Sequence, residues 1–78
     1  MDNQVLLSIL YDYYGELLTD KQQNYFKDYY FDNLTLSEIS ENYNISRNAI
    51  HKSLNEIEEK LLYYEEKLKL NKKNMKIK

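Results

Sequence analysis

The sequence contains no cysteine, no proline and only one glycine among its 78 residues. Without cysteine it has neither a disulfide framework nor a thiolate metal site, and the single histidine, His51, cannot form a zinc cluster with scattered carboxylates. With so little proline and glycine, the chain also lacks the turn clusters that separate short strands. The sequence therefore predicts an all-α domain that is stabilised by helix packing, with no metal and no cofactor.

Long apolar runs are missing as well. No stretch approaches the ~18 apolar residues of a membrane span, and the first residues, Met1–Gln4, lack the positive charge that opens a secretory signal. We therefore expect a cytosolic protein. No Gly-rich loop, nucleophile motif or ligand cluster accompanies the carboxylates and His51, so the sequence favours a non-enzymatic function.

Charge is distributed unevenly along the chain. Residues 1–66 carry 13 acidic and 5 basic side chains, a net charge of about −8, whereas residues 67–78 carry six lysines and no acid. We interpret residues 1–70 as a single helical domain and residues 71–78 as a basic, disordered tail that could contact phosphate or an acidic partner.

Because so short a chain buries only about 60–65% of its unfolded surface, we expect oligomerisation to help stabilise it.

Capping residues indicate where the first two helices begin and end. The first helix is predicted over residues 3–14 and is expected to end because Gly15 takes the left-handed conformation. Thr19 and Gln22 then form a capping box that opens a second helix over residues 20–31. The apolar residues that share one face of the first helix at the 3.6-residue period are Leu6, Ile9, Leu10 and Tyr13.

Two further helices with a tight turn between them predict a helix-turn-helix. Thr35 and Glu38 form a capping box for a third helix over residues 36–43, and Asn44 suits a left-handed turn. The fourth helix is predicted over residues 47–70, where nothing interrupts it. Three more residues complete the pattern: the small Ser40 at the helix crossing, the apolar Ile45 in the turn and the buried Ile50 in the second helix. The remaining residues predicted on the core face are Leu36, Ile39 and Tyr43.

A polar stripe on the fourth helix lies on the face that would point at a DNA groove. Asn48 suits a bidentate contact with adenine, Lys52 or His51 could reach guanine, and Arg47 with the helix caps would hold phosphates. The stripe carries only two full positive charges and runs into glutamates, so an ordinary solvated face is the alternative interpretation. The candidate nucleic-acid-binding residues are Thr35, Ser46, Arg47, Asn48, His51, Lys52 and Asn55.

An apolar seam with alternating spacings of four and three residues continues along the fourth helix. Its first residues belong to the core beneath the other helices, whereas the part from Leu61 onward is expected to lie beyond so small a core. That part either folds back on the first helix or contacts another copy of the chain or a protein partner. The candidate residues for this oligomer or partner contact are Ile57, Leu61, Tyr64 and Leu68.

Three segments carry a family resemblance: YGELLTDKQ at residues 14–22, DYYFDNLTLSEIS at residues 28–40 and SRNAIHK at residues 46–52. With the EKLL and YEEKL runs that follow, residues 14–70 closely resemble the YlxM-like family of small bacterial helix-turn-helix proteins, also called UPF0122. The resemblance implies a fold similar to the region of sigma factors that binds promoter minus-35 elements. It also implies a role in the signal recognition particle pathway.

The resemblance and the residues together leave two functional hypotheses, since a fold alone does not fix a function. The first is a regulatory or accessory protein of the targeting pathway, whose partner is the signal recognition particle GTPase or its receptor. The alternative is a sequence-specific DNA-binding regulator that uses residues 47–55. A weaker third hypothesis is an assembly module without a nucleic-acid role.

Overall fold

The computed structural model describes residues 4–70, which form four α-helices and, within that range, no β-strand. The all-α prediction is therefore confirmed. Two sequence predictions lie outside the described residues, namely the basic tail at residues 71–78 and the start of the first helix at Asn3. The elements are α1 (Gln4–Tyr14), a 3₁₀ turn (Gly15–Leu17), α2 (Asp20–Phe26) with a π-helical turn (Lys27–Phe31) directly after it, α3 (Leu36–Tyr43) and α4 (Arg47–Leu68).

Local hydrogen bonds set the helix starts as the sequence predicts. The Thr19 hydroxyl accepts from the backbone N–H of Gln22, whose side chain accepts in turn from the N–H of Thr19. Thr35 and Glu38 repeat this reciprocal arrangement at the start of α3. Asn44 has the left-handed backbone conformation between α3 and α4, with φ 57° and ψ 45°. All these groups lie within a few residues of one another, so the sequence alone is enough to locate them.

Gly15 directly follows α1, but a glycine is needed there for a different reason from the predicted one. The expectation of a left-handed glycine is wrong, because the chain's one glycine does not have a positive φ. A Cβ atom on Gly15 would instead lie 3.0 Å from two ring atoms of Tyr11. That ring stacks flat on the ring of Phe26, with 4.5 Å between the centroids. The glycine therefore makes room for an aromatic contact between α1 and α2.

We expect Gly15→Ala to lower the free energy of unfolding by about 1–2 kcal/mol, because the added methyl group must displace the Tyr11 ring. Urea denaturation followed by far-UV circular dichroism measures this cost. The same measurement on Tyr11→Ala and on the double variant completes a double-mutant cycle. If Gly15→Ala costs as much in the Tyr11→Ala background as in the parent, the ring is not the reason for the glycine.

The core is built around α4, against which α1, α2 and α3 chiefly pack. Each of the four helices contributes apolar side chains that are almost completely inaccessible to water. Two further buried residues lie outside these helices, Leu18 between α1 and α2 and Tyr30 in the π-helical turn. Because α4 receives residues from all three neighbours, its inner face is covered along most of its length. The buried residues are Leu7, Leu10, Tyr14, Leu18, Tyr25, Phe26, Tyr30, Ile39, Ile50, Leu54, Ile57 and Leu61.

The predicted core face of α1 is only partly correct. Leu10 is fully buried as expected, but Leu6 and Ile9 are 37% and 38% exposed, and the neighbours that point inward are Leu7 and Tyr14. The helix carries apolar residues on nearly all sides, so the 3.6-residue period could not select which side faces the core. Packing against α4 makes that choice.

Two tyrosines tie the earlier helices to α4 through hydrogen bonds to carboxylates. The Tyr14 hydroxyl donates to Glu65 Oε1 at 2.6 Å and accepts from the backbone N–H of Leu70 at 3.0 Å. The Tyr30 hydroxyl donates to Glu58 Oε2 at 2.5 Å. Burial, and then the hydrogen bond to the carboxylate, raises the pKa of both phenols. The protonated phenols therefore favour the folded arrangement of α1 and α2 on α4.

Candidate functional site

The helix-turn-helix consists of α3, the turn at Asn44 and α4. Ile39 and Ile50 are 0% exposed on the inner faces of the two helices. Tyr43, predicted on the core face, lies at its edge and is 36% exposed. Its ring packs edge-on against Tyr25, and its hydroxyl donates to Asp28 at 2.9 Å, which holds α3 against the end of α2. The two helices are thus fixed relative to each other and to the remaining bundle.

The predicted polar stripe lies entirely on the surface of α4. Arg47, Asn48, His51, Lys52 and Asn55 are all exposed, and nine residues of α-helix place them along about 12 Å of the axis. This spacing covers the first two turns and a little more, which is the part of a recognition helix that reaches base edges. The position of the stripe is compatible both with a face that reads DNA and with an ordinary solvated face.

The two predicted capping residues are also exposed, and each is already engaged at the start of its own helix. The Ser46 hydroxyl accepts from the backbone N–H of Ala49 at 3.1 Å, and the Thr35 hydroxyl accepts from that of Glu38 at 3.1 Å. A hydroxyl that accepts one hydrogen bond still has its proton to donate, so both remain able to contact a phosphate oxygen.

A surface groove of about 450 Å³ brings part of the stripe together at the start of α4. Its walls come from α3 and α4, so the groove depends on the helix-turn-helix geometry. Lys52, Asn55 and Thr35 do not line it. The residues that do are Leu36, Ser46, Arg47, Asn48 and His51.

The outer face of α4 changes character beyond the stripe. Leu62 is 43% exposed, and glutamates occupy the positions three and four residues before and after it, namely Glu58, Glu59, Glu65 and Glu66. Side chains at these spacings neighbour one another on a helix, so Leu62 lies among four carboxylates. Glu59 and Glu66 are exposed, whereas Glu58 and Glu65 accept the hydrogen bonds from Tyr30 and Tyr14 at the edge of the bundle. We call this group the Leu62 ring. Sequence reasoning missed it, although the i±3 and i±4 spacing was visible in the sequence.

The predicted apolar seam requires correction. Ile57 and Leu61 are 0% exposed because the chain's own helices cover them. At these residues the structure has the alternative in which the seam folds back on the same chain, and the prediction that they contact another molecule is wrong. The bundle reaches farther along α4 than the sequence suggested, since Tyr14 of α1 packs against the Tyr64 ring with 6.0 Å between centroids. Tyr64 is half-buried and Leu68 is 46% exposed. A partner contact at these last two residues stays a prediction.

No helix within residues 4–70 combines the length and apolar character needed to cross a membrane. Over the same residues, no group of three or more histidine, aspartate or glutamate side chains is placed to hold a metal ion.

Comparison with known proteins identifies the family. The profile of UPF0122, described as "Putative helix-turn-helix protein, YlxM / p13 like", matches residues 1–78. The chain belongs to the UPF0122 family. This confirms the resemblance carried by residues 14–22, 28–40 and 46–52, and with it the helix-turn-helix class.

Individual UPF0122 relatives show what share of a family member's length this chain spans. A UPF0122 protein of Desulforamulus reducens is 50% identical over 64 residues, which is 82% of this chain and 55% of the relative. One from Caldanaerobacter subterraneus subsp. tengcongensis is 47% identical over 73 residues, 94% of this chain and 62% of the relative. One from Malacoplasma penetrans is 52% identical over 63 residues, 81% and 59% respectively. The chain thus spans less than two thirds of the length of these relatives.

Proposed function

We propose that this UPF0122 protein is a non-enzymatic regulatory protein of the signal recognition particle pathway. It acts by binding a protein, the pathway's GTPase or the receptor of that GTPase, through the outer face of α4. The likeness to the YlxM-like family suggests the pathway. The observation that carries the choice of a protein partner is the change of charge along α4, from the polar stripe at its start to the Leu62 ring farther on.

The Leu62 ring favours a protein over nucleic acid for an electrostatic reason. Nucleic-acid affinity comes largely from neutralising phosphates, and the exposed carboxylates of Glu59 and Glu66 repel phosphates instead. A protein surface can match both the acidic ring and the apolar side chain of Leu62 with basic residues around an apolar contact. The partner segment is therefore expected to be basic with an apolar centre.

Charge reversal in the ring tests this proposal. Glu59→Lys with Glu66→Lys is expected to weaken binding to the purified GTPase or receptor at least tenfold, measured by isothermal titration calorimetry. Asp12→Lys with Glu16→Lys makes the same change of charge on exposed residues of α1 and the following turn, and should leave the affinity within about twofold. Failure of the parent protein to bind either partner, or an equal loss in both variants, would contradict the proposal.

DNA binding is a second candidate function, and the exposure of the whole polar stripe supports it. All five side chains on α4 are accessible, and three of them meet in the groove at the helix start with Ser46. The geometry is compatible with a recognition helix in a major groove. The net negative charge of residues 1–66 opposes this function, because it subtracts from the sequence-independent attraction to phosphate.

A salt titration of duplex DNA binding separates the two functions. A protein that acts through a protein partner should show no saturable binding to mixed-sequence duplex at physiological salt in fluorescence anisotropy. A DNA-binding protein should instead bind with submicromolar affinity, and Arg47→Ala with Lys52→Ala should lower its logarithmic salt slope by about 2. Lys21→Ala with Lys27→Ala is the matched control, since it removes the same charge from exposed positions of α2 and the turn after it. Saturable binding with that selective change of slope would replace the protein-partner proposal.

A further inference from the structure

The helix α1 has a second apolar face that points away from the core. Val5 is 74% exposed, and Leu6 and Ile9 are 37% and 38% exposed. On the opposite side of the same helix, Leu7 and Leu10 are at most 1% exposed. A surface helix in a small protein is normally polar on its outer side, so a helix that is apolar on both sides leaves one face in need of a cover. We call Val5, Leu6 and Ile9 the α1 outer face.

The charge around this face indicates what can cover it. The eleven residues of α1 contain a single charged side chain, Asp12, whereas residues 1–66 as a whole carry a net charge of about −8. The acidic residues 1–66 of two copies repel each other over most of their surfaces, so two copies can approach most easily where this segment carries no charge. Within the described residues, α1 is the helix that offers such a surface to a second copy.

The shape of the face is also self-complementary. Val5, Ile9 and the half-buried Tyr13 lie four residues apart and form one ridge along α1. Ridges of this spacing interlock when two helices cross at about −50°, the commonest class of helix packing. In an antiparallel pair centred on Ile9, each Val5 lies opposite the Tyr13 of the other copy, and the two Asp12 carboxylates lie at opposite ends.

We infer that the chain forms a two-fold symmetric dimer in which the α1 outer faces of two copies pack against each other. The predicted oligomer thus has its contact on α1 and not on the apolar seam of α4. The Leu62 ring cannot serve this purpose, because two copies would bring together the exposed carboxylates of Glu59 and Glu66 from each chain. A single helix pair buries less than the roughly 1,200–2,000 Å² of a standard interface, so the dimer is weak and concentration-dependent.

Cysteine cross-linking tests the inference, because these 78 residues contain no cysteine that would compete. Ile9→Cys places a thiol on the two-fold axis and should give a disulfide-linked dimer under mild oxidation, seen on a non-reducing gel. Leu62→Cys and Leu17→Cys are the controls, since these leucines are 43% and 52% exposed and lie off the α1 outer face. Cross-linking of Ile9→Cys that is no more efficient than that of both controls at the same concentration would overturn the inference.

Sedimentation equilibrium at rising concentration provides an independent measurement. Val5→Glu, at a position exposed enough to leave folding intact, should raise the dimer dissociation constant at least tenfold, whereas Leu62→Glu should not raise it. A parent chain that stays monomeric up to millimolar concentration, or a dimer that only Leu62→Glu disrupts, would exclude the contact on α1. The inference is independent of the proposed partner, since these measurements use the purified chain alone.

Discussion

Replacing Leu61 by alanine is expected to lower the free energy of unfolding by about 3 kcal/mol, whereas the same change at Leu62 should cost less than about 1 kcal/mol. The Leu61 side chain is 0% exposed and the Leu62 side chain is 43% exposed. The first substitution leaves a cavity in the core, and the second removes a side chain that water already reaches. Because a chain of this length is stable by only about 4–12 kcal/mol, Leu61→Ala removes a large share of the total.

Urea denaturation followed by far-UV circular dichroism measures both costs. The two positions are neighbours in the middle of the same helix, so the change in helix propensity from leucine to alanine is the same at each. The difference between the two variants therefore reports burial alone. Equal and small costs would show that Leu61 faces outward, as the oligomer or partner interpretation of the apolar seam predicted, and that α1 and α2 cover less of α4.

Raising the pH above about 10 is expected to unfold the protein cooperatively. Burial and hydrogen bonds to Glu65 and Glu58 raise the pKa of Tyr14 and Tyr30 above the ordinary value of 10.0. Below that value both phenols are protonated in the folded and the unfolded chain, so their contribution to stability is complete. As the pH rises through and beyond 10, the unfolded chain releases protons that the folded chain retains, and stability falls toward the folded pKa.

Tyr30→Phe separates the contribution of one phenol. At neutral pH it should lower stability by about 1 kcal/mol, because the hydrogen bond to Glu58 is lost. Above pH ~10 its stability should fall less steeply than that of the parent, because one proton-retaining group is gone. Tyr63→Phe, at a ring that is 56% exposed, is the matched control and should follow the parent curve. An unchanged slope in Tyr30→Phe would show that this phenol does not contribute to the alkaline transition.

What the sequence predicted correctly is local in the chain. The reciprocal capping of Thr19 by Gln22 and the left-handed turn at Asn44 depend on residues within one helical turn. The role of Gly15 depends on the Tyr11 ring, and the burial of Leu61 on how far α1 and α2 reach along α4, which only the folded chain decides. Such contacts between distant segments leave little trace in the periodicity of one helix.

In the candidate site, too, the features that could be predicted are local in the chain, and those that could not depend on contacts in the folded structure. The exposure of the polar stripe was predictable, because residues 47–55 continue a helix whose inner face is fixed by Ile50. The Leu62 ring could have been found from its spacing, but only the burial of Leu61 shows that Leu62 is the residue of that pair that points outward. The identity of a partner could not be predicted, because the sequence of this chain specifies only its own side of the contact.

The ribosome makes α4 after the three helices that pack against it. Helices of 11, 7 and 8 residues are marginal on their own in water, and α1, α2 and α3 each find their main apolar partner in α4. A nascent chain therefore cannot complete its core stepwise during translation. Side chains such as Leu10 and Phe26 are expected to remain accessible to chaperones until α4 leaves the exit tunnel. The four helices are then expected to pack together cooperatively.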